Sequence, residues 1–262
     1  MVVGDRSGVV SSFTVIKGAL VTETYEAFRH WEVEQDRRGN ISRLKETNVF
    51  GARSANWVRD LGKVLNRRFD PAVRDRPLVR MAQAGVDLEI WKPALLWHMT
   101  RDEFLLRDFL IHWLMPRFAE GTYRLQVEDV VPYLGDIEER GLTQDGKAWS
   151  VQTRKRVASG LLGIAGDVGL LRGSAIKEFA SPHLRDEAFL YLLHAIAEGE
   201  PNGAALIRSP EWQMYLYHPA DVEQELLRLH QFRKLHYERA GSIVALTLPF
   251  NSLAGYAESL HG

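Results

Sequence analysis

The chain has 262 residues and no cysteine, and its 33 basic and 34 acidic side chains give a formal net charge of −1. A hydrophobic fraction of 45% with 26% charged residues is typical of a folded chain and excludes a largely disordered one. The lack of cysteine excludes disulfides, thiolate metal sites and cysteine nucleophiles, and it is compatible with the reducing cytoplasm, where we expect the protein.

Helical periodicity dominates the chain, and no repeated alternation of strands and helices predicts a parallel sheet. We predict helices over Thr22 to Gln35, Ile41 to Thr47, Ala52 to Arg68, Leu78 to Ala84, Leu88 to His98, Arg101 to Ala119, Val127 to Arg140, Ser150 to Gly169, Asp186 to Glu198, Ala204 to Trp212 and Ala220 to Leu235. The fold class that follows is mainly α, a helical bundle with helix-turn-helix-like segments.

Basic residues concentrate in two stretches, although the net charge gives no general attraction to nucleic acid. From Arg53 to Arg80, only Asp60, Asp70 and Asp75 oppose a basic set that consists of Arg53, Arg59, Lys63, Arg67, Arg68, Arg74, Arg76 and Arg80. From Lys147 to Gly166 there is no acid, and the basic residues are Lys147, Arg154, Lys155 and Arg156. These are two local positive zones in a nearly neutral protein.

The first zone overlaps a helix-turn-helix candidate, Ile41 to Phe69, with Gly51 in the turn. One face of its second helix collects the apolar residues Trp57, Leu61, Val64 and Leu65. The opposite face carries amides and cations that suit DNA contacts, namely Asn56, Arg59, Lys63 and Asn66, with Arg67 beside them. The pattern fits a solvated helix surface equally well.

The apolar run FLLRDFLIHWLMPRF, Phe104 to Phe118, is too short for a membrane span, which needs about 20 apolar residues. Arg107, Asp108 and His112 also interrupt it. The N-terminus lacks the pattern of a signal peptide. We therefore expect a buried helix and no membrane association, and we interpret His112 as a hydrogen-bonded core residue rather than a metal ligand.

The second zone lies in WSVQTRKRVASGLLGIAGDVGLLRG, Trp149 to Gly173, where glycines recur at every third position from Gly160 to Gly169. Neither the Walker pattern nor the dinucleotide G-x-G-x-x-G pattern is present, and no strand is predicted before the glycines. The segment is therefore not interpreted as a phosphate-binding loop.

A helix capped by Ser150 accounts for more of this segment. Its apolar face collects Val157, Leu161, Ile164, Val168 and Leu171. Its outward face carries Gln152, Lys155, Arg156 and Ser159, and Arg154 belongs to the same basic segment. This arrangement is typical of a recognition helix whose N-terminal part contacts phosphates and bases. The alternative is a solvated basic face whose glycines admit a neighbouring helix.

Two β-hairpins are predicted, each directly after a helix. Arg172, Gly173 and Ser174 form the turn of the first hairpin, and Ala240 and Gly241 that of the second. The order of helices followed by a hairpin predicts tandem winged-helix-like units at about 122–182 and 204–249. Together they form a C-terminal domain, 122–262, after an N-terminal helical domain, 1–121.

The second unit is expected to pack internally or to contact protein. Asp221, Glu223 and Glu225 occupy the first turn of its recognition helix, where they favour the helix dipole but repel phosphate.

An enzyme is not expected, because no metal-ligand spacing such as H-E-x-x-H and no G-x-S-x-G nucleophile pattern is present. Asp145 and Lys147 in TQDGKAW form only a lone pair of the kind that a metal nuclease would extend. We predict no catalytic residue, cofactor or metal.

Four segments, SFTVIKGALVTET, ALLWHMTRDEFLLRDFL, WSVQTRKRVASGLLGIAGDVGLL and ELLRLHQFRKLHYERAGSIVALTLPF, resemble in order and spacing the BrxA family of bacterial BREX bacteriophage-exclusion systems. The resemblance runs from about Ser12 to Tyr256. It implies a helical, non-enzymatic protein that binds duplex DNA, supports host methylation and phage restriction, and has other BREX components as partners. An interaction scaffold without DNA binding is the second hypothesis, and a metal nuclease the third.

Overall fold

The computed structural model describes residues 10–51, 54–143 and 146–261 of the chain, which over these ranges is mainly helical, as predicted. Its N-terminal part contains α1 (Ser12–Ile16), α2 (Val21–Arg29), α3 (Arg37–Thr47), α4 (Ala55–Arg68), α5 (Arg76–Gln83), α6 (Leu88–Met99), α7 (Phe104–Asp108) and α8 (Met115–Ala119). A π-helical segment, Phe109–Leu114, joins α7 to α8.

The C-terminal part contains α9 (Val127–Glu139), α10 (Val151–Asp167), α11 (Asp186–Ala197), α12 (Gly203–Ile207), a 3-10 helix (Pro210–Tyr215), α13 (Pro219–Gln231) and α14 (Leu253–Ser259). Both predicted hairpins are present: β1 (Leu171–Arg172) pairs with β2 (Glu178–Phe179), and β3 (His236–Ala240) pairs with β4 (Ile243–Thr247). The helical bundle with two small hairpins is therefore confirmed.

Short polar side chains cap the N-termini of three of the longer helices. Ser54, Asp87 and Ser150 each accept a hydrogen bond from a backbone N–H of the first turn of α4, α6 and α10. Such caps satisfy N–H groups that have no partner inside the helix. The predicted start of the second helix, Ala52, and its neighbour Arg53 lie outside the described residues.

Trp91 is a fully buried anchor of the core. Its indole N–H donates to the carbonyl of Leu78 at 3.1 Å, and the rings of Tyr25 and Phe28 meet it edge-on at 5.1 Å and 6.4 Å. Buried residues from both predicted domains belong to one hydrophobic cluster, and the division of the chain at residue 121 stays a prediction.

The helix predicted over Arg101 to Ala119 begins at Phe104 and is interrupted by the π-helical segment. Pro116 has no N–H to donate, and its ring would clash with the carbonyl four residues earlier, so the regular ladder is broken before it. His112 lies within this segment and is exposed. The interpretation of His112 as a core residue is wrong, because His112 lies on the same exposed face as Pro116 and Ala119, four and seven residues later.

Polar groups inside the core form what we call the buried polar network, Arg68, Glu103, Asp75, His98 and Tyr191. The Nε of Arg68 lies 3.3 Å from the carboxylate of Glu103, and its Nη atoms donate to backbone carbonyls of α1 and the following turn. His98 lies between Asp75, 2.5 Å from its Nδ1, and the hydroxyl of Tyr191, 2.8 Å from its Nε2. No residue of this network was singled out from the sequence for such a role.

Ionisation in the network follows from this geometry. Burial lowers the pKa of His98, so the imidazole is neutral near pH 7. Burial alone would raise the pKa of Asp75, but hydrogen bonds from His98 and Arg74 outweigh burial and hold it at about 2. We therefore assign a neutral His98 that donates from Nδ1 to an ionised Asp75 and accepts from Tyr191.

The first hairpin follows α9 and α10. Leu125, before α9, forms an isolated antiparallel bridge with Lys177, with both N–H to O distances at 2.9 Å. Arg172 pairs with Glu178 across the hairpin, so it belongs to the strand and not to the predicted turn. The turn starts at Gly173, whose φ of +95° is rarely adopted by residues other than glycine.

The second hairpin follows α12, the 3-10 helix and α13. The helix predicted over Ala204 to Trp212 is two short helices, because Pro210 disfavours helical backbone at Ser209. Ala240 is paired with Ile243, so the turn lies one residue later than predicted, at Gly241 with φ +62°. None of the helices described is long and apolar enough to cross a membrane.

Candidate nucleic-acid interface

Helix α10 is oriented by its apolar face. Val157, Leu161 and Ile164 are fully buried, as predicted, and the side chain of Ser150 accepts from the N–H of Thr153 at 3.1 Å. α10 packs against α9 on one side and α1 on another. Its N-terminal turns are thereby held with their polar side chains outward.

These outward side chains line a shallow groove of about 810 Å³. Gln152, Lys155, Arg156 and Ser159 are all exposed, as the helical pattern predicts. Neighbouring elements complete the groove with Lys17, Gly18, Gln126, Val127, Glu128, Ala175 and Ile176. The residues of the outward face thus border one concave surface together with the end of α1, the start of α9 and the β1–β2 turn.

The two cations that α10 contributes to this groove are free to meet a ligand. Arg156 forms no ion pair among the described residues, and Lys155 lies 3.9 Å from the carboxylate of Glu128 with both side chains more than half exposed. A long, exposed ion pair of this kind contributes little. Both positive charges are therefore available to an anionic partner.

Arg154 differs from its neighbours, because it is half-buried and bound to α9. Its guanidinium donates to both carboxylate oxygens of Glu138, at 2.9 Å from Nε and 2.5 Å from Nη2. Glu138 also accepts from the N–H of Trp149 at 3.0 Å. The hydrogen bonds to Glu138 raise the pKa of Arg154. The structure thus places this predicted contact residue as a clamp between α9 and α10.

The repeated glycines of α10 have separate roles. A Cβ at Gly160 would lie 2.5 Å from the carbonyl oxygen of Val15, so the backbone of α1 crosses α10 at this point. Gly163 faces open space, and Gly169 has φ +86° at the end of the helix. Gly160 therefore admits a neighbouring helix, as one of the sequence interpretations proposed, while the exposed cations lie one turn earlier.

Helix α4 presents the second predicted face. Of the predicted apolar stripe, Leu61, Val64 and Leu65 are buried and Trp57 is partly buried. The predicted contact residues are all exposed, namely Asn56, Arg59, Lys63, Asn66 and Arg67. The side chain of Lys63 is 57% exposed and lies 3.6 Å from Asp60, which already accepts a hydrogen bond from Lys17, so most of the charge of Lys63 is available.

Helix α1 connects the two faces. The ammonium of Lys17 donates to Asp60 of α4 at 2.8 Å, and Lys17 also lines the groove at α10. The ring of Phe13 lies between two cations, 5.6 Å from Lys17 Nζ and 6.0 Å from Lys63 Nζ. The hydrogen bond from Lys17 lowers the pKa of Asp60, which stays ionised.

We call this continuous region the basic surface, and it consists of Arg59, Lys63, Lys17, Lys155 and Arg156. Sequence reasoning missed Lys17 and Phe13, because α1 is only five residues long and has no periodicity to detect. The contact with Asp60 spans 43 residues of sequence and leaves no local pattern.

The acids of α13 are tied to their own unit. Asp221 accepts from the N–H of His218 at 2.8 Å, and Glu223 accepts from the hydroxyl of Tyr237 at 2.6 Å and from Arg239 at 2.5 Å. The surface of α13 exposes two large apolar side chains, Leu227 at 48% and Phe232 at 65%.

Metal chemistry has no support in the described part of the chain. Over residues 10–51, 54–143 and 146–261, no three His, Asp or Glu side chains are grouped as metal ligands. Asp145, on which the nuclease hypothesis depends, lies outside the described residues, and Lys147 is exposed.

Comparison with known proteins gives one finding. A family model described as BrxA matches residues 11–195 of the chain. No curated protein matches the chain. The matched range includes α1, α4, α10 and the first hairpin, and it ends within α11. The whole basic surface lies inside it, whereas the second hairpin unit lies beyond it.

Proposed function

Because the chain belongs to the BrxA family, we propose that it is a non-enzymatic accessory protein of a BREX phage-defence system and that it binds double-stranded DNA through the basic surface. In this role it acts in the cytoplasm, alongside other BREX components, and supports host methylation and phage restriction. Family membership supports the association with BREX. The proposal of DNA binding rests on the geometry of α4 and α10.

The observation that carries the proposal is a pair of exposed cations at the start of α10 that have no strong internal partner. Lys155 and Arg156 line a groove beside the amide of Gln152, in the exposed N-terminal part of a helix that α1 crosses about one turn later, at Gly160. Recognition helices contact base edges and phosphates with their N-terminal residues in this way. Arg and Lys pair with phosphate or guanine, and Gln pairs with adenine.

The order of elements around α10 supports the same proposal. A bridge strand at Leu125, then α9, α10 and the β1–β2 hairpin follow one another, and the hairpin turn borders the groove through Ile176. This is the order of a winged helix-turn-helix unit. Arg154 then acts as a positioning residue, because its bonds to Glu138 fix α10 against α9.

The basic surface explains how a protein of net charge −1 would bind DNA. Its five cations outnumber the acids that pair with them, Asp60 and Glu128, and acids elsewhere in the chain are screened beyond about 8 Å at physiological salt. Each phosphate that a cation neutralises releases counterions, and the affinity then falls steeply with salt.

The test is the binding of a labelled duplex of about 20 base pairs, two helical turns, followed by fluorescence anisotropy over a salt series. Removing Lys155 and Arg156 together, as alanines, lowers the log–log salt slope by about two, and removing Arg59 and Lys63 has a similar effect. The four changes combined lower it by about four if one duplex covers both faces. The control Lys92→Ala with Arg208→Ala, outside the basic surface, leaves the slope unchanged.

Two results would contradict the proposal. One is no duplex binding by the unchanged protein at about 50 mM salt, where phosphate contacts are strongest. The other is a combined variant that keeps the slope of the unchanged protein. If the protein then captured a BREX component without binding DNA, the scaffold hypothesis would replace ours. The exposed Leu227 and Phe232 of α13 are the observation that favours it.

A further inference from the structure

The last three arginines of the first basic zone do not lie on the basic surface. Arg74, Arg76 and Arg80 line a separate cleft together with Arg101. The cleft has a volume of about 640 Å³, within the range of about 300–1,000 Å³ that is usual for ligand sites, and it shares no lining residue with the groove at α10. The proposed DNA contact therefore leaves these arginines unused.

The floor of the cleft is apolar and its rim carries both signs of charge. Trp97, Ala195, Ile196 and Leu253 are buried and line it. Basic side chains come from α5 and the turn after α6, namely Arg76, Arg80 and Arg101. Acidic side chains come from α14 and the turn after α11, namely Glu198, Glu200 and Glu258, while two further acids of the lining, Asp70 and Glu211, are paired with Arg37 and Arg107.

The charged side chains of this rim do not form ion pairs with one another among the described residues. Arg74 is paired with Asp75 and Asp102, but none of the other three arginines forms an ion pair within the described ranges. Glu200 and Glu258 likewise form no ion pair there, and Glu198 only accepts from the N–H of Leu253 at 3.2 Å. A cleft that keeps opposite charges apart offers a complementary position to each sign.

Two buried polar atoms of the lining residues also lack a partner. The indole N–H of Trp97 and one carboxylate oxygen of Glu211 are both shielded from solvent without a hydrogen bond in the part of the chain that is described. Folded proteins pair most buried polar groups, so such atoms point to a partner that binds here. A peptide, which carries N–H and C=O groups, supplies both kinds of bond.

We propose that this cleft docks a peptide segment of another protein of the same defence system, one that carries an apolar side chain between an acidic and a basic residue. The apolar side chain covers the floor at Trp97, the acid faces Arg76 and Arg80, and the base faces Glu200 and Glu258. This proposal goes beyond the DNA-binding function, and because the two surfaces share no lining residue, one chain can hold DNA and a protein together.

The experiment is affinity purification of the tagged full-length chain, expressed with the complete set of BREX proteins. We compare it with Arg76→Glu/Arg80→Glu, with Glu200→Lys/Glu258→Lys and with a matched control outside the cleft, Lys92→Glu/Arg117→Glu. Thermal melting verifies that each variant is folded, and duplex binding is measured in parallel. Overlapping peptides of any captured BREX protein are then tested for the bound segment.

We expect one BREX protein to be captured by the unchanged chain and the control, with at least a tenfold loss in both cleft variants and unchanged duplex binding. The bound peptide should contain the acid, apolar residue and base. Capture that survives both charge reversals, no capture at all, or a bound segment without these charges overturns the proposal. Loss of duplex binding in the arginine variant also overturns it, because the cleft would then belong to the DNA surface.

Discussion

The end of α4 places two arginines side by side in opposite surroundings. Arg67 is exposed next to the basic surface and forms no ion pair among the described residues, whereas Arg68 is fully buried with Glu103 and two backbone carbonyls. The same side chain type therefore contributes to the interior in one case and faces solvent in the other. The same contrast between buried, internally paired charges and exposed charges separates two regions of the molecule, the buried polar network and the basic surface.

The difference between the regions lies in where the partner of each charge is found. In the buried polar network the partners are inside the fold, and removing one leaves another charge buried without compensation. On the basic surface Lys155 and Arg156 lack a strong internal partner, so their removal costs the fold little. Changes in the first region should therefore affect stability, and changes in the second should affect binding.

The largest effect is expected for Arg68→Met. The substitution leaves the carboxylate of Glu103 and the carbonyls of Thr14 and Ala19 unpaired, and we expect the free energy of unfolding to fall by about 3–5 kcal/mol. Urea denaturation measures it. The neighbouring Arg67→Met is the control and should change stability by less than about 0.5 kcal/mol. An equal loss of unfolding free energy in the two variants would contradict the contrast between Arg68 and Arg67.

A smaller effect is expected where α1 crosses α10. Gly160→Ala forces a Cβ against the backbone of Val15, and overpacking of this kind costs about 1–3 kcal/mol. Gly163→Ala is the matched control, because its Cβ meets open space and the helix gains up to about 1 kcal/mol. Thermal unfolding of the two variants should move in opposite directions. A shift in the same direction would mean that α1 does not press on Gly160.

The smallest effect is the pH dependence of the buried polar network. Burial lowers the pKa of His98, so stability is fully present above the unfolded value of about 6.5 and is lost as the pH falls below it. One such proton changes the stability by at most about 1.4 kcal/mol per pH unit. The pKa of Asp75, at about 2, adds a further loss only below about pH 4.

The variant His98→Gln tests this assignment, because glutamine does not titrate. Between pH 7 and pH 5 its unfolding midpoint should fall less than that of the unchanged protein, although it is lower throughout. His194 remains in both proteins, and burial lowers its pKa as well, so some decline persists. Parallel curves for the two proteins would show that His98 does not carry the effect.

Much of the fold could be predicted because the long helices repeat their pattern. α4 and α10 are long enough for an apolar stripe to appear, and the exposure of Lys63 and Arg156 follows from it. Helix α1 could not be predicted, because five residues do not complete two turns. Its helical state depends on contacts with α10 at Gly160, which are far away in sequence.

The candidate site could be predicted only in part, for a similar reason. A helical wheel gives the side on which a residue lies, but not what the neighbouring helix presents to it. Arg154 and Glu138 are 16 residues apart on different helices, and only their packing shows that this arginine is already bound. The separation of Arg76 and Arg80 from the basic surface also depends on how α5 packs, with α2 and α14 around it.

The most direct test of the account compares Arg154 with Arg156, two arginines of one helix that differ in whether a carboxylate already holds them. The measurement is the log–log salt slope of duplex binding for Arg154→Ala and Arg156→Ala, each with its unfolding midpoint. We predict that Arg156→Ala lowers the slope by about one with an unchanged midpoint. Arg154→Ala should keep the slope and lower the midpoint. The account would be contradicted if Arg154→Ala lowered the salt slope and Arg156→Ala left it unchanged.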